Sequence, residues 1–141
     1  MKEGREASPI VNQRIEIGDL SGRNMEEALG LELRANLIYL CMAGQTDIFE
    51  VKALFKRLAK VEMEHATILV KMLDIGMPKV EDQTCSEEDI ENFKKTVALE
   101  EHASQVYAQF AKEATEQNVR ILFTALHQVE MDHIELIKNY L

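Results

Sequence analysis

The sequence predicts an all-α protein in which two copies of a helix pair form one four-helix bundle. The composition favours helices, because unbranched residues are plentiful and the 141 residues include only 6 glycines and 2 prolines. Four segments carry apolar residues at helical spacing. The chain also repeats itself at a shift of 68 residues. A chain of this length is sufficient for one domain.

Capping residues and helix breakers define the first helix pair. Asn24, followed three residues later by Glu27, predicts the N-cap of a first helix over 24–43. After a short turn, the second helix is predicted over 47–74. Gly76 follows its last turn, as is common where a helix ends.

The second helix pair has similar signals. Ser86 followed by Asp89 predicts the start of a third helix over 86–114. Thr115 predicts the N-cap of the fourth helix, which continues almost to Leu141.

These boundaries divide the chain into an N-terminal arm, residues 1–23, and a bundle, residues 24–141. The first helix pair occupies 24–75 and the second 86–141. Within the arm, the segment IVNQRIEI at 10–17 is predicted to be extended and to pack on the bundle or on a neighbouring subunit. Exchange of the helix pairs between two subunits stays an open alternative.

The repeat aligns acidic residues and histidines. The motif VEMEH at 61–65 returns as VEMDH at 129–133. The same shift pairs Glu32 with Glu100, Ala35 with Ala103, Tyr39 with Tyr107, Ala43 with Ala111, Phe55 with Phe123 and Leu58 with Leu126. Two copies in one bundle imply an approximate twofold axis through its centre.

Six repeated ionisable residues are candidate metal ligands: Glu32, Glu62, His65, Glu100, Glu130 and His133. Each lies on the apolar stripe of its helix, and the two Glu-x-x-His pairs each share a face. Buried carboxylates are costly and repel one another, so they are either protonated and hydrogen-bonded or neutralised by cations. Two divalent ions would balance four carboxylates. We therefore predict a dinuclear metal site at mid-bundle.

Tyr39 and Tyr107 follow Glu32 and Glu100 by seven residues, which is two helical turns. We predict that their hydroxyls donate hydrogen bonds to metal-bound carboxylates across the bundle. Ordinary core filling, with each hydroxyl near some polar group, is the alternative.

The remaining ionisable residues are predicted to lie off the site. His102 and His127 align with Arg34 and Ala59 in the other repeat, and both are predicted to be surface residues. The acidic residues predicted to face solvent are Glu64, Glu101 and Asp132.

Charge and cysteine content exclude several classes of function. A net charge of −9 argues against nucleic-acid binding. The longest nearly apolar run, 37–44, is too short to cross a membrane, and the N-terminus lacks the pattern of a secretory signal. Cys41 and Cys85 form no C-x-x-C pair, so no zinc ribbon or rubredoxin-like site is expected. We predict two reduced thiols and a cytoplasmic protein.

At these residues the sequence resembles the ferritin-like superfamily, nearest to rubrerythrins and bacterioferritins. The resemblance covers about residues 24–141 and includes the string YAQFAKEA at 107–114. It implies a ferritin-like four-helix bundle that holds two iron ions. The implied roles are terminal ligands for Glu32 and Glu100, bridges for Glu62 and Glu130, and one nitrogen ligand each for His65 and His133.

Two departures from rubrerythrins matter. Rubrerythrins carry a four-cysteine rubredoxin domain that supplies electrons, and this sequence shows none. They also carry an extra glutamate one turn from the third-helix ligand, where this chain has Val97 and Ala103. The implied ligand set is therefore closer to that of bacterioferritins.

The resemblance implies a di-iron oxidoreductase that reacts with peroxide or O₂ and is reset by an external electron donor, as in rubrerythrin-like peroxide reductases. The alternative is a ferroxidase or iron-storage protein of the bacterioferritin type, since an acidic surface attracts cations. A di-iron hydroxylase would need a pocket between helices for its organic substrate. Manganese and zinc also suit the ligands. A homo-oligomer, a dimer or larger, is expected.

Overall fold

Four α-helices account for most of the chain in a computed structural model that describes residues 17–141. Their bounds are Asp19–Gln45 (α1), Phe49–Leu73 (α2), Asp89–Glu113 (α3) and Gln117–Lys138 (α4). Helix α1 packs against α2, α3 packs against α4, and α1 also packs against α3. The described residues contain no strand. The predicted all-α bundle of two helix pairs is confirmed.

The first helix begins five residues before the predicted N-cap Asn24, so that capping prediction is wrong. The carboxylate of Glu116, which precedes α4, accepts hydrogen bonds from the Gly18 backbone N–H and the Ser21 hydroxyl, each at 2.6 Å. Asn24 instead donates its side-chain amide to Glu113 at 2.9 Å. A carboxylate that is distant in sequence therefore stabilises the N-terminus of α1. No local sequence pattern indicates this contact.

The helix includes residues 19–23, which were assigned to the arm on sequence grounds. Residues 1–16 lie outside the described part of the chain, with nearly all of the predicted extended segment 10–17.

The core consists of two apolar clusters with a polar layer between them. In α2, Ala59 belongs to one cluster and Ala66 to the other, with Glu62 and His65 between. The shift of 68 residues exchanges the clusters. The rings of Tyr39 and Phe55 stack 6.3 Å apart in one cluster, and their equivalents Tyr107 and Phe123 stack 5.9 Å apart in the other. The sequence repeat is thus a structural repeat about a twofold axis.

The connection between α2 and α3 runs along the bundle. The late turns of α2 and of α3 contribute to the same apolar cluster, so segment 74–88 must return from one end of the bundle to the other. A helix of 25 residues is about 37 Å long, and a segment of this length can reach about 50 Å. This crossover therefore lies largely extended along the outside of the helices.

A disulfide between Cys41 and Cys85 ties this crossover to α1, with a Cα–Cα distance of 6.0 Å. The prediction of two reduced thiols is therefore wrong. The two cysteines are 44 residues apart in sequence, and only the path of the crossover brings them together. Since the cytoplasmic prediction rested partly on reduced thiols, it loses that support. None of the described helices is long and apolar enough to cross a membrane.

Candidate metal centre

Two overlapping groups of side chains occupy the polar layer. The first group is Glu32, Glu62, His65 and Glu130, and the second is Glu62, Glu100, Glu130 and His133. In each group, one potential ligand atom of every residue lies within 4.8 Å of the others. Glu62 and Glu130 belong to both groups. The structure thus brings together all six ligands predicted from the sequence.

The cluster is almost completely shielded from solvent. All four glutamates are at most 2% exposed. The side chains of His65 and His133 are 11% and 12% exposed. Carboxylates that are this deeply buried require protons or cations to offset the loss of hydration.

Each histidine ring lies near the outer glutamate on the partner helix of its own helix pair. His65 Nδ1 lies 3.4 Å from Glu32 Oε1, and His133 Nδ1 lies 3.5 Å from Glu100 Oε1. These distances are long for hydrogen bonds. Two atoms that bind one ion at about 2.1 Å each lie roughly 3 to 4 Å apart, so the spacing suits a shared metal ion.

Several buried atoms of the cluster have no hydrogen-bond partner among the described residues: Glu62 Oε1, Glu100 Oε2, Glu130 Oε1 and His133 Nδ1. A buried polar atom without a partner costs about 1 to 3 kcal/mol, and more when it is charged. Oxygen and imidazole nitrogen donors suit iron, manganese and zinc. The residues present therefore fit a pair of divalent metal ions.

Two tyrosines cross the bundle to orient the outer carboxylates. The Tyr39 hydroxyl on α1 donates to Glu100 Oε1 on α3 at 2.6 Å, and the Tyr107 hydroxyl on α3 donates to Glu32 Oε2 on α1 at 2.7 Å. Burial and the nearby carboxylate charges raise both tyrosine pKa values well above the ordinary value. Both phenols therefore stay protonated and act as hydrogen-bond donors.

The carboxylates of the cluster have divergent pKa values. Burial, followed by the charge of Glu32, raises the pKa of Glu62 well above its ordinary range. Burial and the adjacent Glu100 also raise the pKa of Glu130. Burial acts on Glu100 too, but the adjacent Glu130, the nearby His133 ring and the hydrogen bond from Tyr39 outweigh it and hold its pKa below the ordinary value. In the metal-free protein, Glu130, with a pKa of about 12, therefore keeps its proton at neutral pH, and Glu62 keeps its proton to a higher pH than an exposed glutamate does.

We expect the metal-free protein to lose stability as the pH rises from about 5 to 8. Folded Glu130 keeps a proton throughout this range that the unfolded chain releases near pH 4.3, and the raised pKa of Glu62 acts in the same direction, so the folded state binds more protons in this window. The free energy of unfolding then falls by at most about 1.4 kcal/mol per pH unit for each extra proton. The lowered pKa of Glu100 also stabilises the fold, but this contribution increases with pH. It is already complete above about pH 4.3, so it does not alter the slope.

Urea unfolding in the presence of a chelator at several pH values measures this slope. The Glu130→Gln variant should show a shallower slope, because it cannot release that proton. The metal-loaded protein should not lose stability over the same range, since metals bind the deprotonated carboxylates. A metal-free protein whose stability rises with pH would contradict the assignment.

Residues predicted to lie off the site mostly do so. Glu64, Glu101, Asp132 and His102 are exposed. The prediction that His127 is a surface residue is wrong in part. It is half-buried, and its Nδ1 lies 2.8 Å from the backbone carbonyl oxygen of Ser104. It links α4 to α3 away from the metal ligands.

A four-helix bundle with a carboxylate–histidine cluster in its middle layer defines a ferritin-like protein with a candidate dinuclear metal site. The family model of the rubrerythrins matches residues 23–141. The chain belongs to the rubrerythrin family.

Two solved structures share the fold. Bacterioferritin BfrA of Mycobacterium tuberculosis has a TM-score of 0.77 and 18% sequence identity, covering 87% of this chain and 84% of that chain. A hypothetical protein from Pyrococcus furiosus has a TM-score of 0.73 and 18% identity, covering 85% of this chain and 87% of that chain. No curated protein has a significantly similar sequence. The ferritin-like fold predicted from the sequence is confirmed.

Proposed function

We propose that the protein is a di-iron carboxylate oxidoreductase that reduces peroxide at the buried cluster. One observation supports the proposal: the described residues form two groups of potential ligands, each compact enough to hold one metal ion, and both groups include Glu62 and Glu130. Shared carboxylates hold two metal ions side by side, which is the arrangement of ferritin-like dinuclear proteins. Membership of the rubrerythrin family supports iron as the metal.

Each group of ligands would hold one iron ion. Glu32 and His65 would complete one site, Glu100 and His133 would complete the other, and Glu62 and Glu130 would bridge them. Two iron ions that change between the ferrous and ferric states would supply the two electrons needed to convert peroxide to water.

The protein side chains prepare the site for this chemistry. Four carboxylates favour ferric iron, because hard oxygen donors suit a hard cation. The hydroxyls of Tyr39 and Tyr107 fix the outer carboxylates Glu100 and Glu32, so the ligands keep their orientation during a redox cycle. Burial of the cluster keeps bulk water out and strengthens these electrostatic contacts.

We expect the reduced, iron-loaded protein to react faster with H₂O₂ than with O₂. Stopped-flow absorption after mixing with each oxidant separately measures both rates, and a two-electron reaction should consume about one H₂O₂ for each pair of iron ions. The Glu62→Ala variant should lose both reactions, because Glu62 belongs to both ligand groups.

The reverse order of rates would contradict the peroxide reductase. It would favour the alternative, a ferroxidase or iron-storage protein in which O₂ or peroxide oxidises incoming Fe(II). Addition of excess Fe(II) under air then separates the two functions, since only the ferroxidase continues to form Fe(III) over many turnovers.

The proposal includes three further features of the protein. An external electron donor would return the iron to its ferrous state. The chain would act as a homo-oligomer, a dimer or larger, which the solution mass would reveal. A cytoplasmic location remains a prediction, tested by fractionation of the cells that make the protein.

A further inference from the structure

A cavity of about 150 Å³ lies between α1 and α3 and reaches the metal centre. We call it the α1–α3 cavity. An engineered protein cavity of about this volume binds benzene, whereas peroxide and O₂ each have only two heavy atoms. The α1–α3 cavity is therefore large enough for a small organic molecule.

The cavity lies on the approximate twofold axis of the bundle. Its lining includes five pairs related by the shift of 68 residues: Leu31 with Leu99, Arg34 with His102, Ala35 with Ala103, Tyr39 with Tyr107, and Glu62 with Glu130. The inner end is formed by the carboxylates shared between the two ligand groups. A molecule in the cavity would therefore face both metal positions.

The cavity walls are acidic at the inner end, apolar in the middle part and basic at the rim. The inner end is acidic, and Leu31, Ala35 and Leu99 line the middle part. The rim carries the half-buried Arg34 and the exposed His102. A basic residue thus occupies the equivalent position of each repeat, on both sides of the axis.

Arg34 has no hydrogen bond or ion pair within residues 17–141, although the chain has 25 acidic and 16 basic residues. Its guanidinium lies over Gly30, where an added Cβ would come within 3.0 Å of Nη1. A guanidinium that has no partner among the described residues and lies beside an apolar cavity is suited to bind a carboxylate in the bidentate mode. His102 also has no hydrogen bond or ion pair in this part of the chain.

We propose that the α1–α3 cavity binds a small organic monocarboxylate with an apolar body of about six heavy atoms. The carboxylate lies at the rim between Arg34 and His102, because at the inner end it would meet Glu62, Glu100 and Glu130. The apolar body fills the middle part, and its far end faces the metal centre. This site goes beyond the proposed reaction with peroxide, because binding requires no metal.

Calorimetric titration of the full chain with benzoate, with and without its metals, tests the proposal. Benzoate should bind in both forms, and at least about ten times more tightly than benzyl alcohol or benzylamine, since a hydrogen bond to a charged group accounts for such a factor. Arg34→Gln should weaken benzoate binding by a similar factor. Arg23→Gln, which changes an exposed arginine on the same helix, should leave it unchanged.

Ala35→Phe and Ala103→Phe fill the cavity from opposite repeats and should abolish binding, with circular dichroism to verify folding. If neither variant folds, Arg34→Gln still decides, because it alters only the rim. Absence of benzoate binding, equal affinity for benzylamine, or unchanged affinity in Arg34→Gln would each overturn the proposal. A protein that binds benzoate but reduces no peroxide would contradict the proposed function alone.

Discussion

Replacing Glu62 with alanine is expected to remove both metal ions, whereas replacing Glu32 is expected to remove only one. Glu62 belongs to both ligand groups, while Glu32 belongs to one. Elemental analysis of protein purified from iron-rich medium should therefore fall from about two metals per chain to about zero in Glu62→Ala and to about one in Glu32→Ala. The repeat offers a second test of the same contrast, with Glu130→Ala expected to match Glu62→Ala and Glu100→Ala to match Glu32→Ala.

The matched control is Glu64→Ala, an exposed glutamate on the same helix, which should keep both metals. Because Glu62→Ala also leaves a cavity in the core, its loss of metal is attributed to the missing ligand only if the metal-free variant stays folded. Thermal unfolding of each metal-free variant verifies this point. A Glu62→Ala protein that keeps one ion, or a Glu32→Ala protein that loses both, would contradict the shared-ligand arrangement.

Removing the disulfide is expected to lower the free energy of unfolding by about 4 kcal/mol, because a loop that spans 44 residues is closed in the unfolded chain. Single-domain proteins have total stabilities of about 5 to 15 kcal/mol, so the effect should be large. Urea unfolding of the wild type with and without a reductant, compared with the double variant Cys41→Ser/Cys85→Ser, measures the difference.

The double variant is also the control for the reductant, which should leave its unfolding midpoint unchanged. A thiol assay on unfolded protein should find free thiols only after reduction. Free thiols without reductant, or a wild-type midpoint that is insensitive to reductant, would contradict the bond between Cys41 and Cys85.

The bundle and the carboxylate–histidine cluster could be predicted from the sequence because each occurs twice in the chain. Apolar spacing locates the helices, and the shift of 68 residues pairs each candidate ligand with a counterpart in the other half of the chain. Glu62 and Glu64 differ by two positions on one helix, yet only Glu62 lies on the apolar stripe and is buried. Periodicity alone distinguishes them.

Features that depend on contacts between distant segments could not be predicted. The start of α1 depends on Glu116, and the disulfide depends on the path of the crossover. A capping rule considers neighbouring residues only, so it predicts a helix start at Asn24 and cannot include the contact with Glu116. The cavity is also invisible in the sequence, because it arises where two helices carrying Ala35 and Ala103 face each other. One signal of the cavity rim is present in the sequence, since Arg34 and His102 are both basic and occupy equivalent positions of the repeat.

Each candidate metal site contains residues from both halves of the chain. Glu130, from the second half, completes the group formed by Glu32 and His65, and Glu62, from the first half, completes the group of Glu100 and His133. Each ion would therefore act as a cross-link between the halves. A gene encoding only one helical hairpin could have built the same centre by self-association, so a homodimer is a simple ancestor for this molecule.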